Sequence, residues 1–151
     1  MTVLRLITGK AKALGACDKA DNVKNYKELV DRLFLKQGLS WCVKNRFPRL
    51  LHFNMLKPYL IDERRVYVDK GEIDLSNIKE VCIVGNTHAN ITYDGGKCIH
   101  RVICFYGASA SIKAQNKAVV RVYKVDAGNI TIDKDSSSII LNDVTPENAQ
   151  I

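Results

Sequence analysis

The sequence contains no apolar run long enough to cross a bilayer, so no membrane-spanning helix is expected. Its start, M-T-V-L-R-L-I-T-G-K, has too short an apolar stretch for a secretory signal peptide and has no small-residue cleavage site. The five cysteines are an odd number, and most lie among apolar residues, which is typical of buried thiols in a reducing compartment. These features predict a soluble, cytoplasmic protein without a membrane partner.

Motifs that carry chemistry are missing as well. There is no phosphate-binding P-loop and no G-x-G-x-x-G that opens a helix. The stretch G-A-S-A-S at 107–111 ends in Ser where a nucleophile elbow has Gly. We therefore expect no enzyme, no catalytic residue and no cofactor.

A metal site is not predicted either, although one group of residues has side chains of the types that bind zinc. Cys98, His100 and Cys104 would point to one side of a strand, with His88 and Cys82 on neighbouring strands. Six residues of extended chain span about 20 Å, which is too far for Cys98 and Cys104 to share one zinc ion. A column of core cysteines is the simpler interpretation.

Positive charge is concentrated in the first part of the chain. Residues 1–65 hold 14 Lys and Arg against 6 Asp and Glu, a net of +8, whereas residues 66–151 hold 9 against 10. Such asymmetry indicates an acidic partner for the first part, either nucleic acid or an acidic protein face. The candidate binding cations are Lys24, Lys27, Arg32, Lys36, Lys44, Arg46, Arg49, Arg64 and Arg65.

Aromatic residues interleave with these cations, as they do in proteins that bind single-stranded nucleic acid. Trp41, Phe47 and Tyr59 are the candidates for base stacking. The alternative is that Trp41 and Phe47 belong to the core between helices.

The second part of the chain repeats itself. H-A-N-I-T-Y-D at 88–94 returns as A-G-N-I-T-I-D at 127–133, and two further copies share the pattern small, polar, Ile, polar, apolar. The aligned isoleucines are Ile73, Ile91, Ile112 and Ile130, and the small residues two positions earlier are Gly71, Ala89, Ala110 and Gly128. Since side chains alternate along a strand, each copy predicts a strand with one buried face.

A second apolar strand accompanies each copy. V-Y-V, V-C-I-V, V-I-C-F and V-R-V-Y begin at residues 66, 81, 102 and 120, and S-I-I-L at 138 would begin a fifth coil. A period of 18 to 21 residues predicts a short parallel β-solenoid of about four coils. The isoleucines would form one interior column, and the small residues would mark a tight corner. D-G-G at 94–96 also fits a hairpin, so a β-sandwich or roll is the alternative fold.

Short helices are predicted before the repeat. Apolar residues recur at helical spacing in 22–35, Gly38 would end or interrupt that helix, and Pro48 fits the first turn of a later one. The expected fold is α+β, with a basic helical head at 1–62 capping the first coil of a β-solenoid at 63–151.

About two thirds of the chain resembles small proteins of gut bacteria and their phages that have a helical head, a short β-strand repeat and no assigned function. The residues that carry the resemblance are Gly38, Trp41, Cys42, Asn45, Phe47 and Pro48, together with G-N-T-H-A at 85–89. The resemblance implies a mobile-element or phage accessory protein.

Taken together, these features predict a non-catalytic interaction protein. Its target would be an acidic macromolecule or another copy of the same chain. As a phage accessory protein it would inhibit a host nucleic-acid-processing defence system or serve as a structural or virion component. The alternative is a nucleic-acid-binding protein that uses the basic head.

Overall fold

The computed structural model describes residues 2–16 and 22–144, and it begins with four short helices. Thr2 caps the first helix by accepting a hydrogen bond from the backbone N–H of Arg5, and Asn25 caps the second through the N–H of Glu28. The helices are α1 (Val3–Ala13), α2 (Tyr26–Leu33), α3 (Lys36–Asn45) and α4 (Leu50–Leu56), followed by a 3₁₀ turn at Lys57–Tyr59. The predicted helical head is confirmed, although α1 was not anticipated.

Gly38 has a different role from the one predicted. It lies inside α3 rather than at a helix end. A Cβ at this position would collide with the backbone carbonyl oxygen of Arg32. The glycine therefore allows α3 to pack closely against the end of α2. None of the helices in the described residues is long and apolar enough to cross a membrane.

Nine strands follow within residues 66–144, and every neighbouring pair is parallel. They are β1 (Val66–Val68), β2 (Gly71–Ser76), β3 (Glu80–Val84), β4 (Thr87–Asp94), β5 (Ile99–Phe105), β6 (Ser109–Gln115), β7 (Val119–Val125), β8 (Ile130–Lys134) and β9 (Ile139–Val144). Sheet A is ordered β1-β3-β5-β7-β9 and sheet B β2-β4-β6-β8, so each coil gives one strand to each sheet. The parallel solenoid of about four coils is confirmed, and the hairpin-based sandwich is excluded.

Left-handed residues form the corners that lead from sheet A to sheet B. Asp69, Gly85, Tyr106 and Asp126 each follow a sheet A strand with φ between 50° and 66°. They stack on one another, since the backbone N–H of each of the first three bonds to the last sheet A residue of the next coil. The predicted corner of small residues is wrong, because Ala89 and Ala110 lie within strands and face the interior.

The predicted isoleucine column is correct only at its centre. Ile91 stacks on Ile112, but Ile73 pairs with Ala89, and Ile130 pairs with Ala110. The two end coils are thus shifted by two residues, which keeps every side chain on its predicted face.

The same shift changes which residues of the two quoted repeats align between coils. Asn90 pairs with Ser111, which in turn pairs with Thr131 instead of Asn129. Gly128 donates its backbone N–H to the carbonyl of Ala108, so Ala110 lies between Ala89 and Ile130 rather than below Gly128. The coil period varies more than the sequence pattern suggests.

Two cores share sheet A. The interior core lies between the two sheets and includes Val102, Cys104 and Ile112. The head core joins the helices to the outer face of sheet A, where Cys82, Ile103 and Tyr123 belong to successive coils. The head therefore caps the solenoid along its side over all four coils, and not only at the first coil as predicted.

Candidate functional site

The corner residues of the solenoid bind the head. Asp69 accepts a hydrogen bond from the Lys57 ammonium at 2.6 Å, and the carboxylate of Asp126 pairs with Arg46. The Tyr106 hydroxyl donates to the backbone carbonyl oxygens of Pro48 at 2.6 Å and Arg46 at 2.9 Å. Tyr106 and Asp126 thus hold the segment between α3 and α4, and Asp69 holds the 3₁₀ turn after α4. Contacts from three coils fix the head relative to the solenoid.

Three of the nine predicted cations form ion pairs. Lys27 and Arg65 both contact Asp31, at 3.3 and 2.8 Å, and Arg46 pairs with Asp126. Arg65 also bonds to Glu63 at 2.8 Å, and these hydrogen bonds lower the pKa of the Glu63 carboxyl. Arg46 and Arg65 thus link separate elements of the fold, whereas Lys27 and Asp31 pair within α2.

The other six cations have no ion pair with a carboxylate within residues 2–16 and 22–144. Five of them are exposed and Arg32 is half-buried. They lie on several elements, from the segment before α2 to the segment before β1, and so do not form one compact patch. The six are Lys24, Arg32, Lys36, Lys44, Arg49 and Arg64.

Arg46 and Arg49 belong to the connection between α3 and α4, and the charges of Lys10 and Arg49 both act on His52. Arg46 is paired with Asp126, so within the described residues the unpaired charge here is that of Lys10 and Arg49. We call Lys10, Arg46 and Arg49 the corner cluster. Burial lowers the pKa of His52, and the positive charges of Lys10 and Arg49 lower it further. The Nδ1 atom of His52 accepts a hydrogen bond from the backbone N–H of Arg49 at 3.0 Å, which requires the neutral form of the ring. The positive charge near this ring is therefore that of the corner cluster and not of His52.

Sequence reasoning missed Lys10 and Tyr106. Lys10 stands in the last turn of α1, a helix that was not predicted. Tyr106 follows an apolar strand and has a left-handed backbone, which a sequence pattern does not reveal for a tyrosine. Burial raises the pKa of Tyr106 to about 12, although Arg46 and Arg49 oppose the shift.

The three candidate stacking residues have different environments. Phe47 is buried, and Trp41 is half-buried with its ring edge-on to Phe47 at 5.8 Å, so both belong to the head core. Tyr59 is 51% exposed and stacks on Tyr26 at 4.5 Å. This tyrosine pair borders a shallow groove that Lys27, Arg64 and Arg65 line together with Asp62 and Glu63.

The cysteines and histidines are dispersed. Cys104 lies in the interior core, where burial raises the pKa of its thiol to about 12, and Cys82 lies in the head core. His88 points outward from sheet B, where its ring nitrogens lie 2.6 Å from the Ser109 hydroxyl and 3.2 Å from that of Ser111. Among the described residues, no three His, Cys, Asp or Glu side chains are arranged to hold a metal ion.

The outer face of sheet B is polar, as predicted. Asn90 donates to Glu72 at 3.1 Å and to Asp74 at 3.0 Å, and Thr131 donates to Ser111 at 3.1 Å. These side chains bond to one another between coils, so the face is a regular hydrogen-bonded surface.

Comparisons of the chain with protein-family models, with curated proteins and with solved structures found no match.

Proposed function

We propose that the protein is a non-catalytic interaction protein whose helical head binds an acidic surface of another macromolecule. The observation that carries the proposal is that six of the nine candidate cations have no carboxylate partner in the described residues. Unpaired exposed cations on a fixed frame attract acidic partners and speed their association. The proposal assigns no catalytic residue.

The corner cluster is the proposed centre of this surface. The charges of Lys10 and Arg49 both act on the imidazole of His52, and the segment that carries Arg49 is held by Tyr106. A partner would meet these charges already in position, so little side-chain and loop ordering would oppose binding.

An acidic protein is the preferred partner, and nucleic acid is the second candidate. The stacked pair Tyr26 and Tyr59 beside Arg64 favours nucleic acid, because bases stack on exposed aromatic rings. Asp62 and Glu63 line the same groove and would repel phosphates. For this reason we place the protein partner first.

The cellular setting is also a proposal. A cytoplasmic location is supported by the free thiols of Cys42, Cys82, Cys98 and Cys104. A role as a phage or mobile-element accessory protein, either an inhibitor of a host defence system or a structural component, rests only on the sequence resemblance to small proteins of gut bacteria and their phages.

Charge reversal tests the proposed surface. Fluorescence anisotropy would measure binding of the full chain to a poly-glutamate peptide and to single- and double-stranded DNA at two salt concentrations. The Lys10→Glu/Arg49→Glu variant should weaken binding by at least about tenfold, which corresponds to about 1.4 kcal/mol. A steep loss of DNA affinity with added salt would favour nucleic acid.

A matched control distinguishes the effect of the corner cluster on binding from the effect of total charge. Lys97 and Lys134 are exposed on the solenoid, and Lys97→Glu/Lys134→Glu makes the same change in total charge. This control should bind nearly as well as the natural chain. Equal losses in both variants, or no binding to any probe, would contradict the proposal.

A further inference from the structure

The helical head contains an apolar cavity that is distinct from the corner cluster. Its volume is about 340 Å³, and it is lined from several helices by Ile7, Leu29, Val30, Leu33 and Trp41. The cavity is partly open to solvent, so a ligand can enter it. A cavity of a few hundred cubic ångströms is typical of sites that bind small molecules.

The described lining of the cavity has few polar side chains, and its one charged side chain is positive. Among the described lining residues, Arg32 is the only charged side chain, and Thr8 and Gln37 add polar groups. Arg32 is half-buried and forms no ion pair with a carboxylate in the part of the chain that the structure describes. A cation beside an apolar cavity is suited to a ligand with an apolar body and an anionic end.

We propose that this cavity binds an aliphatic carboxylate of medium chain length, with the chain inside and the carboxylate at Arg32. An apolar cavity of 150 Å³ holds benzene, so this one has room for about 13 non-hydrogen atoms. Decanoate is of this size. Its chain would be buried against Leu33 and Trp41, and the guanidinium would form charge-assisted hydrogen bonds with its carboxylate.

Trp41 provides the measurement, since it is the only tryptophan of the chain and lines the cavity. Its fluorescence would be followed while the full-length protein is titrated with decanoate or with decanol, both below the concentration at which they aggregate. Decanoate should give a saturable change and bind at least about tenfold more tightly than decanol, because only the acid can pair with Arg32.

Two substitutions sharpen the test. Arg32→Gln should abolish the preference for decanoate and leave decanol binding unchanged, whereas the matched Arg64→Gln should change neither. Ala11→Phe places a ring in the cavity and should abolish binding of both ligands. If Ala11→Phe fails to fold, the arginine pair still decides.

Three results would overturn the proposal. They are the absence of a saturable response to either ligand, equal affinities for decanoate and decanol in the natural chain, and equal effects of Arg32→Gln and Arg64→Gln. None of them bears on the acidic partner of the corner cluster, which is tested with other residues and other probes.

Discussion

Sheets A and B are built by the same coils, yet their outer faces are opposites. On sheet A the outward side chains Cys82, Ile103 and Phe105 are fully buried beneath the helices. On sheet B the outward positions hold polar residues such as Asn90 and Lys113. A strand covered on both faces becomes continuously apolar, whereas a strand with one free face alternates. The loss of alternation in V-C-I-V and V-I-C-F therefore marks where the head packs.

The largest effect is expected where the head meets sheet A. Phe105 is fully buried on that face, and the centroid of its ring lies 5.1 Å from that of Phe53. Phe105→Ala should lower the free energy of unfolding by about 3–5 kcal/mol, since it removes the ring and leaves a cavity. Urea denaturation followed by circular dichroism would measure it.

Lys113→Ala on sheet B is the matched control. Lys113 is exposed on the outer face of β6, so its truncation should change stability by less than about 0.5 kcal/mol. Similar losses in the two variants would mean that the outer faces do not differ as described.

A smaller contrast is expected between the two faces of sheet B. Ala110 is fully buried between Ala89 and Ile130, so Ala110→Leu should overpack the interior and cost about 1–3 kcal/mol. Thr131→Leu, on the exposed face, should cost less than about 0.5 kcal/mol. Thermal melts would compare them. If both were harmless, the interior column would not exist. If Thr131→Leu kept its melt but lost a partner, the polar face would be the binding surface.

How far the sequence predicts this molecule follows from these same residues. Alternation placed Asn90, Ile91 and Ala110 on their correct faces, because strand periodicity is local. It did not fix the register of Ile73 and Ile130, since a shift of two residues preserves every face and coil length is set by the turns.

The head was harder to place. The helices after α1 follow from apolar spacing, but which surface they cover depends on contacts distant in sequence. Lys57 meets Asp69, and Arg46 meets Asp126 across the interface. The nine cations could be named but not sorted into paired and unpaired, because that depends on which carboxylates the fold brings near.

The smallest expected effect is the dependence of stability on pH, and it involves one histidine in the head and one in the solenoid. Burial lowers the pKa of His52 in the head and of His100 in the interior core. Folding therefore favours their neutral forms. This contribution to stability is present above an unfolded pKa of about 6.5 and is lost as pH falls through the lower folded values. The melting temperature should therefore decrease as the pH is lowered from 7 to 5.

His52→Asn would assign part of this change to the head. Asparagine can still accept the backbone N–H of Arg49 but does not titrate. The variant should show a weaker dependence on pH over that range. An unchanged slope would mean that His52 does not contribute.

The most direct test of the comparison uses two cysteines on opposite faces of sheet A. Cys82 faces the head and Cys104 faces the interior, both are fully buried, and Cys98 is partly exposed. Labelling the native protein with N-ethylmaleimide, resolved by mass spectrometry, would follow each thiol. The account predicts rapid labelling of Cys98 and equally slow labelling of Cys82 and Cys104, because both thiols become accessible only on unfolding. Rapid labelling of Cys82 with continued protection of Cys104 would show that the head does not cover sheet A, and would contradict the account.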